Sequence, residues 1–389
     1  MNSVKGVIFD LDGTLLDTES FVIEAVKDVV ESHGKSLTPE AIQASTGRRP
    51  LEAWQAVKDV LDIGCSAQQL FDESEPVLSE RWHTAKLMPG AHRLLWHLNR
   101  HGIPVALATS TSRATFGAKM AGHGNLQSIF ACVSCGDEVQ NGKPAPDCFR
   151  EAAKKLGLEA TECLAIEDAP AGVESAVAAG MRVAVVPSLR DHQAYPKPLP
   201  DAPAGCCSVL PSLLDFKPEQ YGLPAFEDMI NGVVPLEPVW RLKGKVVKGF
   251  GRGSKELGIP TANLDAASLQ GALAEAVTGI YLGWASIGQS KQVYKMVMSI
   301  GFNPYYKNTE KTVEPWLLHT FEQDFYDQEL RLLVCGYIRP EANFDSLDAL
   351  VKRIHEDAAV TEAALKYDPF ASYESDSFVV TSSNKCNPV

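Results

Sequence analysis

The stretch VKGVIFD (Val4–Asp10) is apolar almost throughout and ends on a carboxylate. Four similar runs follow, at Ile103–Thr109, Phe130–Ser134, Cys163–Glu167 and Arg182–Val186. Continuous rather than alternating hydrophobicity over such short runs is what a strand buried on both faces requires. Helical patterns lie between them, for example at Pro146–Leu156 and Gly172–Ala179. Parallel neighbours need a long return connection, so strands alternating with helices predict a parallel α/β sheet. An acid closing the first strand then falls at the carboxyl edge of the sheet, where ligands bind in open α/β folds.

The alternation is interrupted between the first two strands. From about Asp17 to Met88, Val22, Val26, Val29 and Val30 recur at helical spacing, as do Trp54, Val57 and Leu61. This predicts a helical insertion over the mouth of the sheet, either a lid or added bulk. A second change comes at Pro187–Pro238, which holds ten of the 24 prolines. Its first part, through SVLPSLLDF, is expected to finish one domain, and the rest to form a semi-rigid linker. The expected limits are 1–216 for the first domain, 217–238 for the linker, 239–373 for a second domain and 374–389 for a polar, disordered tail.

In the second domain short strands at Lys245–Phe250, Gly279–Ala285, Val293–Ile300, Trp316–Phe321 and Leu330–Tyr337 are separated by turn residues. Few helices intervene, which predicts an antiparallel barrel. One late helix follows Asp345 and Ser346, with Leu347, Leu350, Val351 and Ile354 on one face.

A net charge of −13 argues against a general nucleic-acid or anionic-membrane surface. Against that balance the run Val239–Lys255 carries Arg241, Lys243, Lys245, Lys248, Arg252 and Lys255 and no acid. The nine cysteines are irregularly spaced, and the pair Cys132 and Cys135 has no second pair to complete a zinc site. Thiols in a reducing compartment are expected. With no membrane-length apolar stretch and no signal-peptide pattern, the expectation is a soluble cytoplasmic protein.

DLDGT (Asp10–Thr14) sets two carboxylates two residues apart at the edge of the sheet. Asp10 is placed to attack phosphorus and form an aspartyl-phosphate, splitting one hard displacement into two easier ones. Asp12 is placed to protonate the leaving oxygen and then to deprotonate the attacking water. Gly13 and Thr14 let backbone N–H groups approach the phosphoryl oxygens. Carboxylate facing phosphate calls for a cation, and Mg²⁺ with oxygen ligands suits that task.

An isolated D-x-D is more often a surface acid pair. Here DLDGTLLDTE, VALATSTSR, GKPAPDCF and AIEDAPAGVESAVAAGM follow in order and resemble the four motifs of the haloacid dehalogenase-like superfamily of phosphatases. The resemblance spans about Val4 to Val186 and implies a Rossmann-like α/β core with a helical cap. It implies Asp10 as nucleophile, Asp12 as acid and base, Thr109 as the phosphate contact and Lys143 as the charge-neutralising lysine. Asp10, Asp12 and Asp168 are the implied magnesium site, with Glu167 beside it. Because Asp12 is kept, a phosphatase or phosphomutase is implied rather than a dehalogenase. In the cap loop Thr46–Arg49 a pair of arginines either meets substrate phosphate or stays solvated.

GFGRGSKELGIPTANL (Gly249–Leu264) is glycine-rich and basic but lacks the G-x-x-x-x-G-K-[ST] phosphate loop. Gly249, Gly251 and Gly253 would let backbone wrap a diphosphate, with Lys255 countering its charge. Thr261 and Asn263, two apart on an extended segment, offer oxygens to one hard cation. Composition alone favours a plain glycine-rich hairpin. Yet GKVVKGFGRGSKELGIPTANL, GIYLGWASI, MVMSIGFNPYYKNTEKTVE, LHTFEQDFYDQEL and GYIRPEANFDSLDALVKRI are similar, in order, to the riboflavin kinase family. The match spans about Val239 to Tyr367 and implies a Greek-key barrel with a C-terminal helix, which transfers the γ-phosphate of ATP to riboflavin.

By that resemblance Thr261 and Asn263 hold Mg²⁺, Gly249 and Lys255 approach the nucleotide, and Glu314 is the base. His319 and Tyr326 border the nucleotide, and Arg339 and Phe344 the flavin. Asp327 stands where a glycine is common. Joined in this order, the halves resemble the plant-type family of bifunctional FMN hydrolase/riboflavin kinases, so riboflavin, FMN and ATP are the expected small-molecule partners. Two alternatives stay open: a sugar-phosphate phosphatase or phosphomutase tethered to the kinase, or one domain serving as a non-catalytic flavin-binding module.

Overall fold

The computed structural model describes residues 3–188, 195, 207–248, 259–264, 269, 277–302 and 311–380. It divides into two compact units, Met1–Ala225 and Phe226–Val389.

In the first unit the strands are β1 (Gly6–Phe9), β2 (Leu16–Asp17), β3 (Lys86–Leu87), β4 (Val105–Ala108), β5 (Phe130–Ser134), β6 (Cys163–Glu167), β7 (Arg182–Val185) and β8 (Cys207–Val209). Six of them form a parallel sheet in the order β5-β4-β1-β6-β7-β8. The chain leaves β1 for β4 on one side and comes back to β6 on the other. Strand order therefore reverses at β1, and a crevice opens beyond its carboxyl end. All five strands expected from the sequence are present. β8 is a sixth, too short and too close to the prolines to show a period.

The insertion holds α1 (Glu19–Ser32), α2 (Pro39–Ser45), α3 (Pro50–Leu61) and α4 (Ala67–Arg81). Val29, Val30, Trp54, Val57, Ile63 and Leu70 form its own core. Thr38 caps α2 by accepting from the Ala41 N–H at 3.3 Å, and Ser66 caps α4 by accepting from Gln69 at 3.2 Å. This cap is entered and left through the two-stranded pair β2 and β3. The core helices are α5 (Ala91–Arg100), α6 (Arg113–Met120), α7 (Gly124–Gln127), α8 (Asp147–Leu156) and α9 (Pro170–Ala179). Phe149, Ala152 and Ala153 of α8 and Val173 and Ala176 of α9 pack with Ile8, Ala106 and Ala165 of the sheet. The small strand residues let the helices sit close, which holds the crevice rigid.

The second unit holds β9 (Val234–Val247), β10 (Asn263–Leu264), β11 (Gly279–Ile287), β12 (Tyr294–Phe302), β13 (Lys311–Leu317) and β14 (Glu329–Arg339), followed by a C-terminal helix, Leu347–Ala364. The order is β10-β9-β14-β11-β12-β13, antiparallel throughout. Three consecutive strands, β11 to β13, with β14 returning beside β11, make a Greek key. The Ala262 N–H donates to the Pro315 carbonyl at 2.9 Å, drawing the β10 edge onto the β13 edge.

Three boundaries and the buried face of one helix differ from expectation. The strand placed at Lys245–Phe250 is β9, which begins eleven residues earlier, inside the expected linker. Pro235 and Pro238 disguised it. β10 pairs only with Val246 and Val247, so the first half of β9 is an edge among the described residues, and Pro238 falls in the register shift against β14. Edges and bulges are where strands tolerate proline. The other end of the linker packs on the first unit, with Tyr221 and Leu223 buried and Tyr221 stacked on Phe216 at 5.2 Å. The tail is ordered as far as Val380, with Val379 fully buried beside Phe370 and Trp284; residues 381–389 lie outside the described residues. On the C-terminal helix Asp357, Ala358, Thr361 and Ala364 are the buried positions, whereas Leu347 is exposed.

Among the described residues no helix is long and apolar enough to cross a membrane. Because Val379 belongs to the barrel core, Val379→Ala is expected to destabilise the second unit by about 1–3 kcal/mol. Chemical denaturation checks this: the midpoint should fall with an unchanged slope.

Candidate active sites

The end of β1 delivers Asp10, and two other segments meet it. The Lys143 ammonium lies 2.5 Å from Asp10 Oδ1 and 2.6 Å from Glu167 Oε1, wholly buried. Glu167 is fixed in turn, its Oε2 accepting from the Asp168 N–H at 2.8 Å and the Ala169 N–H at 2.9 Å at the start of α9. A Cβ at Gly172 would stand 1.6 Å from Glu167 Oε1, so only glycine permits this approach. Thr14 Oγ1 donates to Asp168 Oδ1 at 3.0 Å. Burial works against the Lys143 charge, but Asp10 and Glu167 outweigh it and hold the ammonium above the ordinary lysine range.

Asp10, Glu167 and Asp168 offer oxygens that all lie within 4.8 Å of one another. Burial, with Glu167 and Asp12 nearby, pushes Asp10 up to about 8 against the pull of Lys143, and burial with the neighbouring carboxylates raises Asp168 as well. One lysine does not balance so much negative charge. Asp168 Oδ2 is buried without a hydrogen-bond partner. Crowded hard oxygens and an orphaned carboxylate oxygen fit a divalent cation such as Mg²⁺.

Asp12 is arranged differently. Its Oδ1 accepts from Thr18 Oγ1 at 2.7 Å and from the Lys119 ammonium at 2.6 Å; its Oδ2 accepts from Thr111 Oγ1 at 2.6 Å and, at the limit of 3.5 Å, from Thr109 Oγ1. Burial opposes its charge, but Lys119 and the two threonines hold the carboxyl below the ordinary aspartate value. Named from the sequence as a magnesium residue, Asp12 turns its side chain away from the acidic cluster, in which Glu167 is the third carboxylate. Thr18, Thr111 and Lys119 were not singled out from the sequence. A lysine on a short helix reads as solvated until the fold buries it.

The cap covers these groups. A cavity of about 660 Å³ has Asp10, Asp12 and Lys119 at its floor and Val22, Leu51, Trp54, Phe71 and Trp82 among the residues of its walls. The arginine pair divides. Arg49 donates to the carbonyls of Val139 at 2.8 Å and Gln140 at 3.2 Å, in the loop leading to Lys143, and so ties cap to core. Ser110 Oγ makes a second tie, donating to the Gly47 carbonyl at 2.9 Å. Arg48 is exposed and borders the cavity.

In the second unit the edge contact between Ala262 and Pro315 sets Thr261 and Asn263 beside Glu314. Val313, Pro315 and Leu317 point into the barrel, leaving Glu314 half-buried on the other face of β13. Thr312 Oγ1 lies 3.5 Å from Glu314 Oε1. Arg339 clasps Asp357 of the C-terminal helix, with Nη2 at 2.7 Å and Nε at 3.0 Å, and its guanidinium lies 5.8 Å from the Phe344 ring. His319 is exposed, its ring tilted against Tyr294 and edge-on to Phe321, both centroids at 4.9 Å. Tyr326 is exposed, 5.9 Å from the Lys248 ammonium. Asp327 takes φ 65°, the left-handed backbone that glycine favours, with Lys245 at 3.2 Å. Gly249 and Lys255 lie outside the described residues.

The first centre gathers buried carboxylates and two lysines at the edge of a capped α/β sheet, and the second sets a carboxylate beside hydroxyl and amide side chains at the seam of a Greek-key barrel. Together they define a two-domain phosphoryl-transfer protein. Residues 7–186 match the haloacid dehalogenase-like hydrolase family model, and residues 236–365 match that of riboflavin kinase. The chain is 43% identical over 374 residues to the bifunctional riboflavin kinase/FMN phosphatase of Arabidopsis thaliana, covering 96% of each. It belongs to that family. Human riboflavin kinase is 48% identical over 143 residues, which cover 37% of this chain and 92% of that one. The mitochondrial (DL)-glycerol-3-phosphatase 1 of Arabidopsis thaliana is 39% identical over 240 residues, covering 59% of this chain and 77% of that one.

At Gly13, φ is +82° and an added Cβ would meet Asp168 Oδ2 at 2.3 Å. Gly13→Ala is therefore expected to lower phosphatase turnover by about 10²-fold or more, the scale of losing a positioned catalytic group. Phosphate release is the measurement, and riboflavin phosphorylation by the same protein should stay within about twofold, since Gly13 lies in the other unit.

Proposed function

We propose that the first unit hydrolyses FMN to riboflavin and phosphate, and that the second phosphorylates riboflavin with ATP. The observation that carries the FMN assignment is the cavity. Its floor is charged and matches a phosphate ester, while Val22, Ile23, Leu51 and Phe71, backed by the buried Trp54 and Trp82, offer apolar surface to a flat ring system. A small polyol phosphate would leave that surface unused.

In the hydrolase, Asp10 attacks phosphorus to form an aspartyl-phosphate, and Asp12, in the fraction that enters the cycle protonated despite its lowered pKa, gives that proton to the departing ribityl oxygen, releasing riboflavin. Water then attacks the aspartyl-phosphate, Asp12 takes its proton, and phosphate leaves with Asp10 restored. Lys143 holds Asp10 in line, and Thr109 contributes a hydroxyl toward the phosphoryl oxygens. Asp10, Glu167 and Asp168 would hold Mg²⁺, which when bound offsets the charge of carboxylate facing phosphate.

In the kinase, Glu314 takes the proton of the ribityl 5′-hydroxyl as its oxygen attacks the γ-phosphorus and ADP leaves. Thr261 and Asn263 would hold the cation that accompanies ATP. His319 and Tyr326 border the nucleotide, and Arg339, locked by Asp357, borders the flavin with Phe344.

Separate units predict separable activities. Asp10→Asn is expected to abolish phosphate release while leaving riboflavin phosphorylation nearly unchanged, and Glu314→Gln to lower phosphorylation by about 10²-fold or more while hydrolysis persists. Assays of both reactions on each variant decide it; loss of both activities in a folded single variant would show one coupled catalytic unit.

The FMN reading is tested through the leaving group. A primary alkoxide leaves poorly without a proton, whereas p-nitrophenolate gains less from an acid. Asp12→Asn is expected to lose most FMN hydrolysis and retain more activity on p-nitrophenyl phosphate. Wild-type protein that prefers glycerol phosphate or a hexose phosphate to FMN by a wide margin would promote the tethered sugar-phosphatase reading.

A further inference from the structure

The four motifs leave a buried cation in the hydrolase site without a role. Lys119 stands on α6 and is 5% exposed. Its ammonium lies 2.6 Å from Asp12 Oδ1, 2.9 Å from Thr111 Oγ1 and 4.2 Å from the centroid of the Trp82 ring. A buried ion pair is a poor device for stability alone, because apolar side chains of similar volume do as well or better. The partner here is the acid–base group of the reaction.

Asp10 and Asp12 leave the same short loop, and each meets its own lysine. Lys143 reaches Asp10 from the loop before α8, while Lys119 reaches Asp12 from α6. Their pulls separate the two carboxylates, one toward Glu167 and Asp168 and the other toward Thr18 and Thr111. Without the second pull, only the hydroxyls of Thr18, Thr111 and, at 3.5 Å, Thr109 would keep Asp12 from rotating toward the acidic cluster, where it offers nothing to a leaving oxygen.

We propose that Lys119 is the positioning residue for Asp12, holding its carboxyl on the α6 side of the cavity, toward the leaving oxygen of the flavin phosphate. The proposal rests on the reading of Asp12 as acid and base. Thr111 completes the hold by accepting from Lys119 and donating to Asp12. Trp82 brings in the cap. It lies in the turn Trp82–Thr84 that ends the cap helices, and it is buried with Ala25 and Leu78 of α1 and α4. Cap packing thus bears on the ammonium and, through it, on where Asp12 points.

The test compares Lys119→Met and Lys119→Arg in the full-length, magnesium-supplied protein, using FMN and p-nitrophenyl phosphate, with and without Asp12→Asn. Lys119→Met is expected to lower the single-turnover rate of riboflavin release from FMN, which reports the first step alone, by about 10-fold or more, to lower that of p-nitrophenol release by no more than about 3-fold, and to leave KM for FMN within about 3-fold. Lys119→Arg should recover part of the FMN turnover. In the Asp12→Asn background Lys119→Met should add almost no further loss, since the residue acts through Asp12. Should Lys119→Met not fold, Lys119→Gln carries the same comparison with one donor kept.

Equal losses on both esters, or the full loss repeated in the Asp12→Asn background, would overturn the proposal. A raised KM with an unchanged single-turnover rate would also overturn it and make Lys119 a direct phosphate contact. If Asp12→Asn alone shows no contrast between the esters, the acid reading of Asp12 fails first, a result separable from the failure of Lys119.

Discussion

Lys143 supplies one positive charge where Asp10, Glu167 and Asp168 converge, and the geometry of the hydrolase centre follows from it. Fully buried, with oxygens of Asp10 and Glu167 at 2.5 and 2.6 Å, the ammonium fixes the nucleophile at the end of β1. Its own place requires the loop between β5 and α8, and its second partner requires the amides that open α9. Three separate returns of the chain are thus tied at one atom. Removing a single member of such a buried set leaves uncompensated charge, which costs about 3–5 kcal/mol. The remaining negative charge is what a divalent cation would meet. The site is therefore stable enough to persist and unbalanced enough to bind.

The second centre depends on a different constraint. A six-stranded antiparallel sheet has two edges, and here the β10 edge meets β13 through the Ala262 amide and the Pro315 carbonyl. That contact removes an exposed edge and sets the PTAN segment beside Glu314. Residues roughly fifty apart in sequence become one site because a barrel has to close. The alternation of β13 then turns Glu314 away from the apolar interior, as the proposed base requires.

Motifs that carry their chemistry in contiguous residues were readable. DLDGT, the segment with Lys143 and the Glu167-Asp168 pair announce their type by residue identity and order, and the parallel sheet follows from apolar runs of strand length. Features resting on a partner distant in sequence were not. Pro235 and Pro238 suggested a linker because an edge strand that tolerates proline looks like one until its single neighbour is seen. The tail looked polar because Phe378, Val379 and Val380 are an isolated apolar run, too short to carry a period that would show Val379 as buried. Arg48 and Arg49 were indistinguishable, and the carbonyls of Val139 and Gln140 separate them.

By itself, the sequence determined two phosphoryl-transfer domains in a fixed order and the residue types brought to each centre. Contiguous motifs carry these: a strand end, a glycine and an acid two residues on already define where atoms can go in the first domain, and the ordered motifs that resemble riboflavin kinases mark the second. The tertiary structure alone decided which cation faces which aspartate. It also made Glu167 rather than the Asp12 side chain the third member of the acidic cluster, and set the apolar size of the cavity beneath the cap. Charge pairing and cavity shape depend on side chains that burial brings together from far along the chain. Burial is a property of the whole fold, so no short segment records it.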